Sequence, residues 1–271
     1  MKTFRPLFFV VSLVLVVGLA CSFGGGGNNN NTQPDQPVES TQAPLPTAVP
    51  ATEVVEPTAV VEEPTVEVTE PPVQEAEQYF TEEFDEPLSN DWSILTVTGS
   101  DSADADKVTV EAQDGSLVWD FDSEYLYYYL FYDAFTYDDV RVDVTADNRG
   151  RNNNNISLIC RYDPDVGWYE FNIANNGLYD IYYAEVKSNG NIGYSRITNG
   201  GSNAIKQGKE TNEYGIICKG NQLTLIINGD EVKTVTEKTY ALREGEVGVS
   251  VSSFNVLPIL IEMDWFKISE P

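Results

Sequence analysis

The chain has 271 residues and a formal net charge of −27, from 43 acidic residues against 16 Lys and Arg. This acidic excess disfavours nucleic acid and anionic lipid surfaces as partners, because both require basic patches. The complete absence of His excludes Ser-His-Asp and Cys-His catalytic machinery and the zinc sites that use His.

The N-terminus has the features of an export signal. Two basic residues precede an apolar run from Leu7 to Leu19, which is shorter than the roughly 20 residues of a transmembrane helix but typical of a signal peptide. The following Gly18-Leu-Ala-Cys21 resembles a bacterial lipobox, in which the Cys is lipidated. We predict a signal peptide over residues 1–20 and a membrane protein anchored through Cys21 that faces outside the cytoplasm. A plain secretory signal is the alternative.

Residues 21–78 are predicted to be a disordered linker behind the lipidated Cys. Positions 22–78 contain nine Pro and ten acidic residues but no Lys or Arg. Such a composition cannot bury enough apolar surface to offset the entropy of ordering the chain. Because Pro-rich and charged linkers are semi-extended, the segment is expected to be a stalk.

Residues 79–271 are predicted to form one all-β domain. Apolar and polar residues alternate in short segments separated by Gly, Asn and Asp, and no long stretch has the spacing of an amphipathic helix. Many short strands with regular turns indicate a sandwich or a barrel. The predicted strands cover residues 107–112, 116–121, 125–132, 140–147, 156–162, 168–174, 178–186, 214–219, 222–227, 247–251 and 259–268.

One predicted strand carries aromatic rings on both of its faces. It is residues 125–132, with the sequence Tyr-Leu-Tyr-Tyr-Tyr-Leu-Phe-Tyr. One face must pack into the core. The other face either packs against neighbouring residues or offers flat rings to the C–H faces of sugars, and we favour burial on both sides.

A predicted hairpin in the middle of the domain collects polar and aromatic side chains on one sheet face. A turn at 175–177 places Asn172 opposite Asp180. The same register places Glu170 opposite Tyr182. Rings, amides and carboxylates that converge in this way suit polyol recognition, although an ordinary solvated sheet face has the same pattern. The candidate ligand-binding residues are Arg161, Trp168, Glu170, Asn172, Asp180 and Tyr182.

The strand before this hairpin carries one of the three Cys residues. Alternation is expected to turn Cys160 and Tyr162 toward the core and Arg161 toward the polar face. Lipidation of Cys21 would leave Cys160 and Cys218 as a pair, and exported compartments permit disulfides. The sequence leaves open whether the two form a disulfide or remain buried thiols.

Short motifs along residues 79–271 carry a family resemblance. They are Phe80-Thr-Glu-Glu-Phe-Asp85 with Trp92, Ile159-Cys-Arg-Tyr162, Gly167-Trp-Tyr-Glu-Phe-Asn-Ile173, Asn176-Gly-Leu-Tyr179, Cys218-Lys-Gly220, Leu223-Thr-Leu-Ile-Ile-Asn-Gly229, Gly245-Glu-Val-Gly248 and Glu262-Met-Asp-Trp-Phe-Lys-Ile268. Together they resemble the concanavalin A-like lectin/glucanase superfamily, and within it the bacterial 3-keto-disaccharide hydrolase-like domains. The resemblance implies a jelly-roll sandwich of two antiparallel sheets, one of them concave, and a fold that often binds or cleaves glycans.

The resemblance also implies where catalysis would occur. Glycosidase members of the superfamily carry Glu-x-Asp-x-x-Glu on one strand, which supplies an acid and a nucleophile. The nearest match is Glu262-Met-Asp264-Trp-Phe-Lys267, in which Lys267 replaces the third carboxylate. We therefore favour a protein without catalytic activity.

A structural calcium ion is a further implication, since members of the superfamily often hold one near the first and last strands. Asp85 and Asp264 are the candidate ligands. The acidic loop 101–106 is a second candidate, because Ca²⁺ prefers several oxygen ligands, with a solvated acidic turn as the alternative. No other cofactor is expected.

Three functions remain open at this point. The first is a monomeric, non-catalytic module that binds a polysaccharide or another cell-surface glycan. The second is a glycoside hydrolase-like enzyme that uses Glu170 and Asp180. The third is a structural or protein-interaction module of the cell envelope.

Overall fold

In a computed structural model, residues 76–271 are described and form an all-β domain whose only helical element is a single 3₁₀ turn at Ala105–Lys107. Within this range, no helix has both the length and the apolar character that crossing a bilayer requires. The predicted signal peptide, Cys21 and the linker up to residue 75 lie outside the described residues.

Sixteen strands make up the described part of the chain. In chain order they are β1 (Phe80–Glu82), β2 (Trp92–Thr98), β3 (Val108–Gln113), β4 (Ser116–Phe121), β5 (Leu126–Tyr132), β6 (Val140–Asn148), β7 (Asn154–Asp163), β8 (Gly167–Ala174), β9 (Leu178–Val186), β10 (Ile192–Gly201), β11 (Thr211–Lys219), β12 (Gln222–Ile227), β13 (Asp230–Thr236), β14 (Glu246–Ser253), β15 (Ile259–Met263) and β16 (Phe266–Ser269).

The strands form two antiparallel sheets. The nine-stranded sheet has the order β13-β12-β11-β6-β15-β4-β3, with β16 also paired to β6 and β1 paired to β16. The seven-stranded sheet has the order β10-β9-β8-β7-β14-β5-β2. The predicted sandwich of two antiparallel sheets is confirmed.

The main core lies between the two sheets. Period-2 alternation sends Tyr214, Ile216 and Cys218 of β11 into it from the nine-stranded sheet, and all three are fully buried. Leu158 and Cys160 of β7 enter from the seven-stranded sheet. Each large apolar side chain buried in this way contributes roughly 1.5–3 kcal/mol.

A disulfide links the two sheets through this core. Cys160 of β7 is bonded to Cys218 of β11, so the pair left open by the sequence is joined. The bond closes a loop across a sequence separation of 58 residues. In the chain-entropy model, closing such a loop stabilises the folded state by about 4 kcal/mol.

The strands that the sequence did not predict lie mostly at sheet edges. β2 and β10 are the two edges of the seven-stranded sheet, and β13 is an edge of the nine-stranded sheet. An edge strand buries fewer side chains, so its alternation is weak. The short β1 was also not predicted, and the segment predicted at 259–268 is divided into β15 and β16.

Candidate ligand-binding face

The predicted site lies on the face of the seven-stranded sheet that points away from the core, which we call the curved face. Its curvature follows from one contact: the hydroxyls of Tyr129 on β5 and Tyr194 on β10 are 2.8 Å apart, although four strands lie between β5 and β10. Five strand spacings of about 4.8 Å would separate them too widely in a flat sheet. The sheet therefore bends toward this face.

The hairpin register on the curved face is the predicted one. Glu170 pairs with Tyr182 and Asn172 with Asp180 across β8 and β9. The turn between β8 and β9 requires a positive φ at Gly177, which is 92°, and this conformation costs a glycine little energy. The predicted assembly of these four residues on one sheet face is confirmed.

Glu170 is the centre of a buried hydrogen-bond network on this face. The residue is 2% exposed. Its Oε2 accepts from Trp168 Nε1 at 3.0 Å and from the Tyr129 hydroxyl at 3.1 Å. Its Oε1 accepts from the Ser157 hydroxyl at 2.9 Å and from Asn172 Nδ2 at 3.3 Å. Four donors surround the two oxygens, which is how a buried carboxylate is satisfied.

Aromatic rings cover the floor of the curved face. Tyr129 and Phe131 stack 5.9 Å apart, and the edge of Trp168 meets both. These rings fit because the neighbouring strand carries small residues: a Cβ on Gly248 would lie 2.7 Å from the Phe131 ring, and Ser250 pairs with Tyr129. The predicted burial on both faces of the aromatic run holds for Tyr129 to Tyr132, whereas Tyr127 on the curved face is partly exposed.

Trp168 is consequently not available to a ligand, because it is fully buried. The side chains that remain accessible on the curved face are mainly tyrosines. Tyr127, Tyr162 and Tyr182 are partly exposed, and Tyr194 is 39% exposed. The rings of Tyr182 and Tyr194 meet edge to face at 6.0 Å.

Polar groups border these rings at one end of the curved face. Asn155 Nδ2 donates to Asn172 Oδ1 at 2.6 Å. Asp180 Oδ1 lies 2.6 Å from Arg196 Nε, and the Arg196 guanidinium lies 5.7 Å from the centre of the Tyr182 ring. Because Arg196 is exposed, this ion pair contributes little to stability but can offer hydrogen bonds to a ligand.

The structure corrects the prediction for Arg161. A β-bulge interrupts the β7–β8 ladder after Cys160, and Arg161 has φ 56°. The extra residue reverses the alternation. Arg161 therefore points away from the curved face and donates to the carbonyls of Asp138, Gly220 and Leu242.

The same bulge moves Tyr162, which was predicted to face the core, onto the curved face. There its ring stacks on Phe131 with centroids 3.6 Å apart. Burial raises the pKa of the Tyr162 hydroxyl.

The ionisable groups of the network respond to burial. Burial and then the Glu170 charge raise the pKa of the Tyr129 hydroxyl well above its usual value. The same two causes raise the pKa of the Tyr194 hydroxyl, so both tyrosines stay protonated. Burial raises the pKa of Glu170, while its hydrogen bonds act in the opposite direction.

The closing-strand carboxylates lie elsewhere. Glu262 belongs to β15 of the nine-stranded sheet and forms an ion pair with Arg149 at 3.0 Å. Asp264 follows β15 and accepts from the Ser116 hydroxyl at 3.1 Å. The partial glycosidase motif is therefore on the other sheet and contributes nothing to the curved face.

The predicted calcium ligands Asp85 and Asp264 approach the same turn. Asp264 bonds to Ser116, and Asp85 Oδ1 would lie 3.6 Å from a Cβ on Gly115. Among residues 76–271, no group of three or more Cys, Asp or Glu side chains is arranged to hold a metal. Since the roughly six to eight oxygen ligands of Ca²⁺ include backbone carbonyls and waters, a calcium ion at this pair or at the 101–106 loop stays a prediction.

Sequence reasoning also missed Tyr194 and Arg196 of the face. Both lie on β10, which is not among the strands predicted from the sequence. Tyr194 and Arg196 are two residues apart, which in a strand places both side chains on the same face. This spacing is the one sequence feature that indicates it.

Comparisons with known proteins agree with this architecture. Residues 80–258 match the family model described as a 3-keto-alpha-glucoside-1,2-lyase-like domain. No curated protein matches the chain.

Two solved structures illustrate the fold. A Bacteroides ovatus GH16 protein of a mixed linkage glucan locus, in complex with a product, is 12% identical with a TM-score of 0.52, covering 70% of this chain and 99% of its own. A Bacillus licheniformis beta-glucanase is 13% identical with a TM-score of 0.50, covering 73% and 100%. At such identities the similarity concerns the fold alone.

Proposed function

Because the chain belongs to the family of 3-keto-alpha-glucoside-1,2-lyase-like domains, we propose that its curved face binds a glucoside-type sugar without cleaving it. The observation that carries the proposal is the group of accessible tyrosine rings around the buried Glu170 network. Flat rings bordered by amide, carboxylate and guanidinium groups suit the apolar faces and hydroxyls of a sugar.

The state of Glu170 argues against catalysis. A general acid or base must come within hydrogen-bond reach of the reacting group. Glu170 already accepts four hydrogen bonds and is 2% exposed. Asp180, its proposed partner, lies against Arg196. Neither carboxylate is free in the way that two-carboxylate glycoside cleavage requires.

Binding is tested by titrating the purified full chain, held in detergent, with a panel of neutral alpha-glucosides and alpha-glucans in a calorimeter. We expect Tyr182→Ala to weaken the binding of a sugar recognised by the wild type about tenfold, a difference of about 1.4 kcal/mol. The matched control is Tyr79→Ala, because Tyr79 is 38% exposed but packs beside Tyr137. Equal affinity in the two variants would contradict the curved face as the binding site.

Absence of catalysis is tested separately by following aglycone release from a 3-keto-alpha-glucoside. We expect no release above the rate without protein. Release that disappears in Glu170→Gln would show an enzyme and would overturn the non-catalytic part of the proposal.

We further propose that a lipid on Cys21 holds the domain at the membrane, outside the cytoplasm, with residues 22–78 as the stalk. The proposal is supported by the lipobox-like Gly18-Leu-Ala-Cys21 and the Pro-rich acidic segment behind it. Labelling of cells with a radioactive fatty acid should mark the wild type but not Cys21→Ala, which should also leave the membrane fraction. Equal labelling of both would contradict the anchor.

A further inference from the structure

A directed chain of hydrogen bonds connects the surface of the curved face to its buried centre. The Tyr194 hydroxyl is 2.8 Å from the Tyr129 hydroxyl, which is 3.1 Å from Glu170 Oε2. Tyr194 is 39% exposed, whereas Tyr129 is fully buried and Glu170 is 2% exposed. Tyr194 is therefore the one residue of the three with substantial exposed surface.

The direction of the chain follows from the carboxylate. An ionised carboxylate only accepts hydrogen bonds, and four donors surround Glu170, so the Tyr129 hydroxyl donates its hydrogen bond to Glu170. The Tyr129 oxygen then accepts from Tyr194. The single hydroxyl proton of Tyr194 is used in this bond, so the Tyr194 oxygen can meet a ligand only as an acceptor. Cooperative hydrogen bonding along the chain strengthens that acceptor.

The charge at the buried centre has no cationic partner. Among residues 76–271, the ion pairs involve other carboxylates, and Glu170 is in none of them. Arg196, the cation that borders the face, is engaged with Asp180. An uncompensated negative charge in a low-dielectric site repels anions strongly and favours groups that present a proton.

We propose that the Tyr194 hydroxyl oxygen is a specificity-determining acceptor that takes a hydrogen bond from a sugar hydroxyl, so that the curved face selects neutral sugars and excludes carboxylated or sulfated ones. This inference rests on the proposed function, because it names the ligand class and the acceptor of the same site.

The test uses three forms of one alpha-glucan, namely dextran, carboxymethyl-dextran and dextran sulfate, against the full chain in low salt. We expect wild type to bind dextran and to bind both anionic forms at least tenfold more weakly. Tyr194→Phe keeps the ring but removes the acceptor, and we expect a loss of about 3- to 10-fold in affinity for dextran. Tyr183→Phe, whose hydroxyl contacts Val166 instead, is the matched control and should bind as wild type.

The outcomes separate the two proposals. Binding of none of the three glucans by wild type would overturn the proposed function, and this inference with it. Binding of dextran with equal affinity for the anionic forms, or with no loss in Tyr194→Phe, would overturn this inference alone.

A second variant distinguishes Glu170 from the net acidity of the chain. Glu170→Gln has nearly the same shape and no charge, and thermal melting shows whether it folds. In the folded variant we expect the affinity gap between dextran and carboxymethyl-dextran to narrow. An unchanged gap would overturn the role of Glu170, and if the variant does not fold, the Tyr194→Phe result decides.

Discussion

The two outer faces of the sandwich are built on the same period-2 alternation but differ in character. The outer face of the nine-stranded sheet carries charged side chains, such as Arg141, which bonds to Asp143 through two nitrogens at 2.7 and 2.8 Å. The curved face of the seven-stranded sheet buries a second apolar cluster, distinct from the main core, of Tyr129, Phe131, Ile159, Trp168 and Ala184.

The difference shows how an outer sheet face becomes a binding face. Gly248, Ser250 and Ala184 leave room for rings from neighbouring strands to lie over the sheet, and curvature brings distant strands together. Where the outer positions hold long charged residues instead, the side chains extend into water and pair locally. Residue size at the outward positions therefore distinguishes the two faces.

The largest expected effect compares one tryptophan on each face. Trp168→Ala should lower the free energy of unfolding by about 3–5 kcal/mol, because it leaves a cavity and removes a donor from Glu170. Trp265→Ala, beside Arg141 and Lys267 on the other outer face, should change it by about 1 kcal/mol or less. Chemical denaturation measures both, and equal losses would contradict the difference between the faces.

A smaller effect compares two serines of β14. Ser253 Oγ donates to the Ser123 carbonyl at 2.6 Å and accepts from Leu126 N at 3.2 Å, so Ser253→Ala should cost about 1–3 kcal/mol. Ser250 Oγ is buried without a partner, and Ser250→Ala should be nearly neutral. A large loss in Ser250→Ala, measured by denaturant titration, would show that its hydroxyl has a partner under the rings.

The third prediction concerns pH and Glu246, which lies on β14 at one end of the curved face. Burial, then the charges of Asp133 and Asp163, raise the pKa of Glu246 to about 7. A carboxyl whose pKa is raised by folding stabilises the folded state below its unfolded pKa, and that contribution is lost as pH rises toward about 7.

With allowance for solvent screening, the loss should be roughly 1–2 kcal/mol between about pH 4.5 and 7. Unfolding measured across this range should show the decline in wild type and not in Glu246→Gln. Asp163→Asn should reduce this pH-dependent loss of stability in part. The same slope in all three proteins would show that Glu246 is not the group that titrates.

The smallest effect is expected on the charged outer face. A double-mutant cycle of Arg141→Ala and Asp143→Ala should give a coupling energy of about 1 kcal/mol or less, since the Arg141 side chain is 36% exposed. The cycle isolates the pair from the separate losses of the two side chains. A coupling of several kcal/mol would show that this face is as tightly ordered as the curved face.

Part of the candidate site was predictable because it is local. The register of β8 and β9 follows from a short turn and from alternation, so Glu170, Asn172, Asp180 and Tyr182 were placed correctly relative to one another. The burial of Trp168 was not predictable, since the rings that cover it come from the other strands β5, β7 and β10.

Arg161 shows a second limit of alternation. One residue in the left-handed region at the bulge exchanges the directions of Arg161 and Tyr162, and nothing in Ile159-Cys-Arg-Tyr162 announces the bulge. The bulge is explained only by the tertiary structure. It lets the Arg161 guanidinium donate to three carbonyl groups from segments that are far apart in the chain.

The sequence by itself determined the all-β class, the register of the central hairpin and the pair of Cys residues able to link the sheets, because these depend on alternation, turn chemistry and residue type. Only the tertiary structure decided that the curved face is closed over Trp168 and Glu170 and that tyrosines line what remains accessible. That outcome depends on strand order and sheet curvature, which bring Tyr129 and Tyr194 together from strands that do not touch.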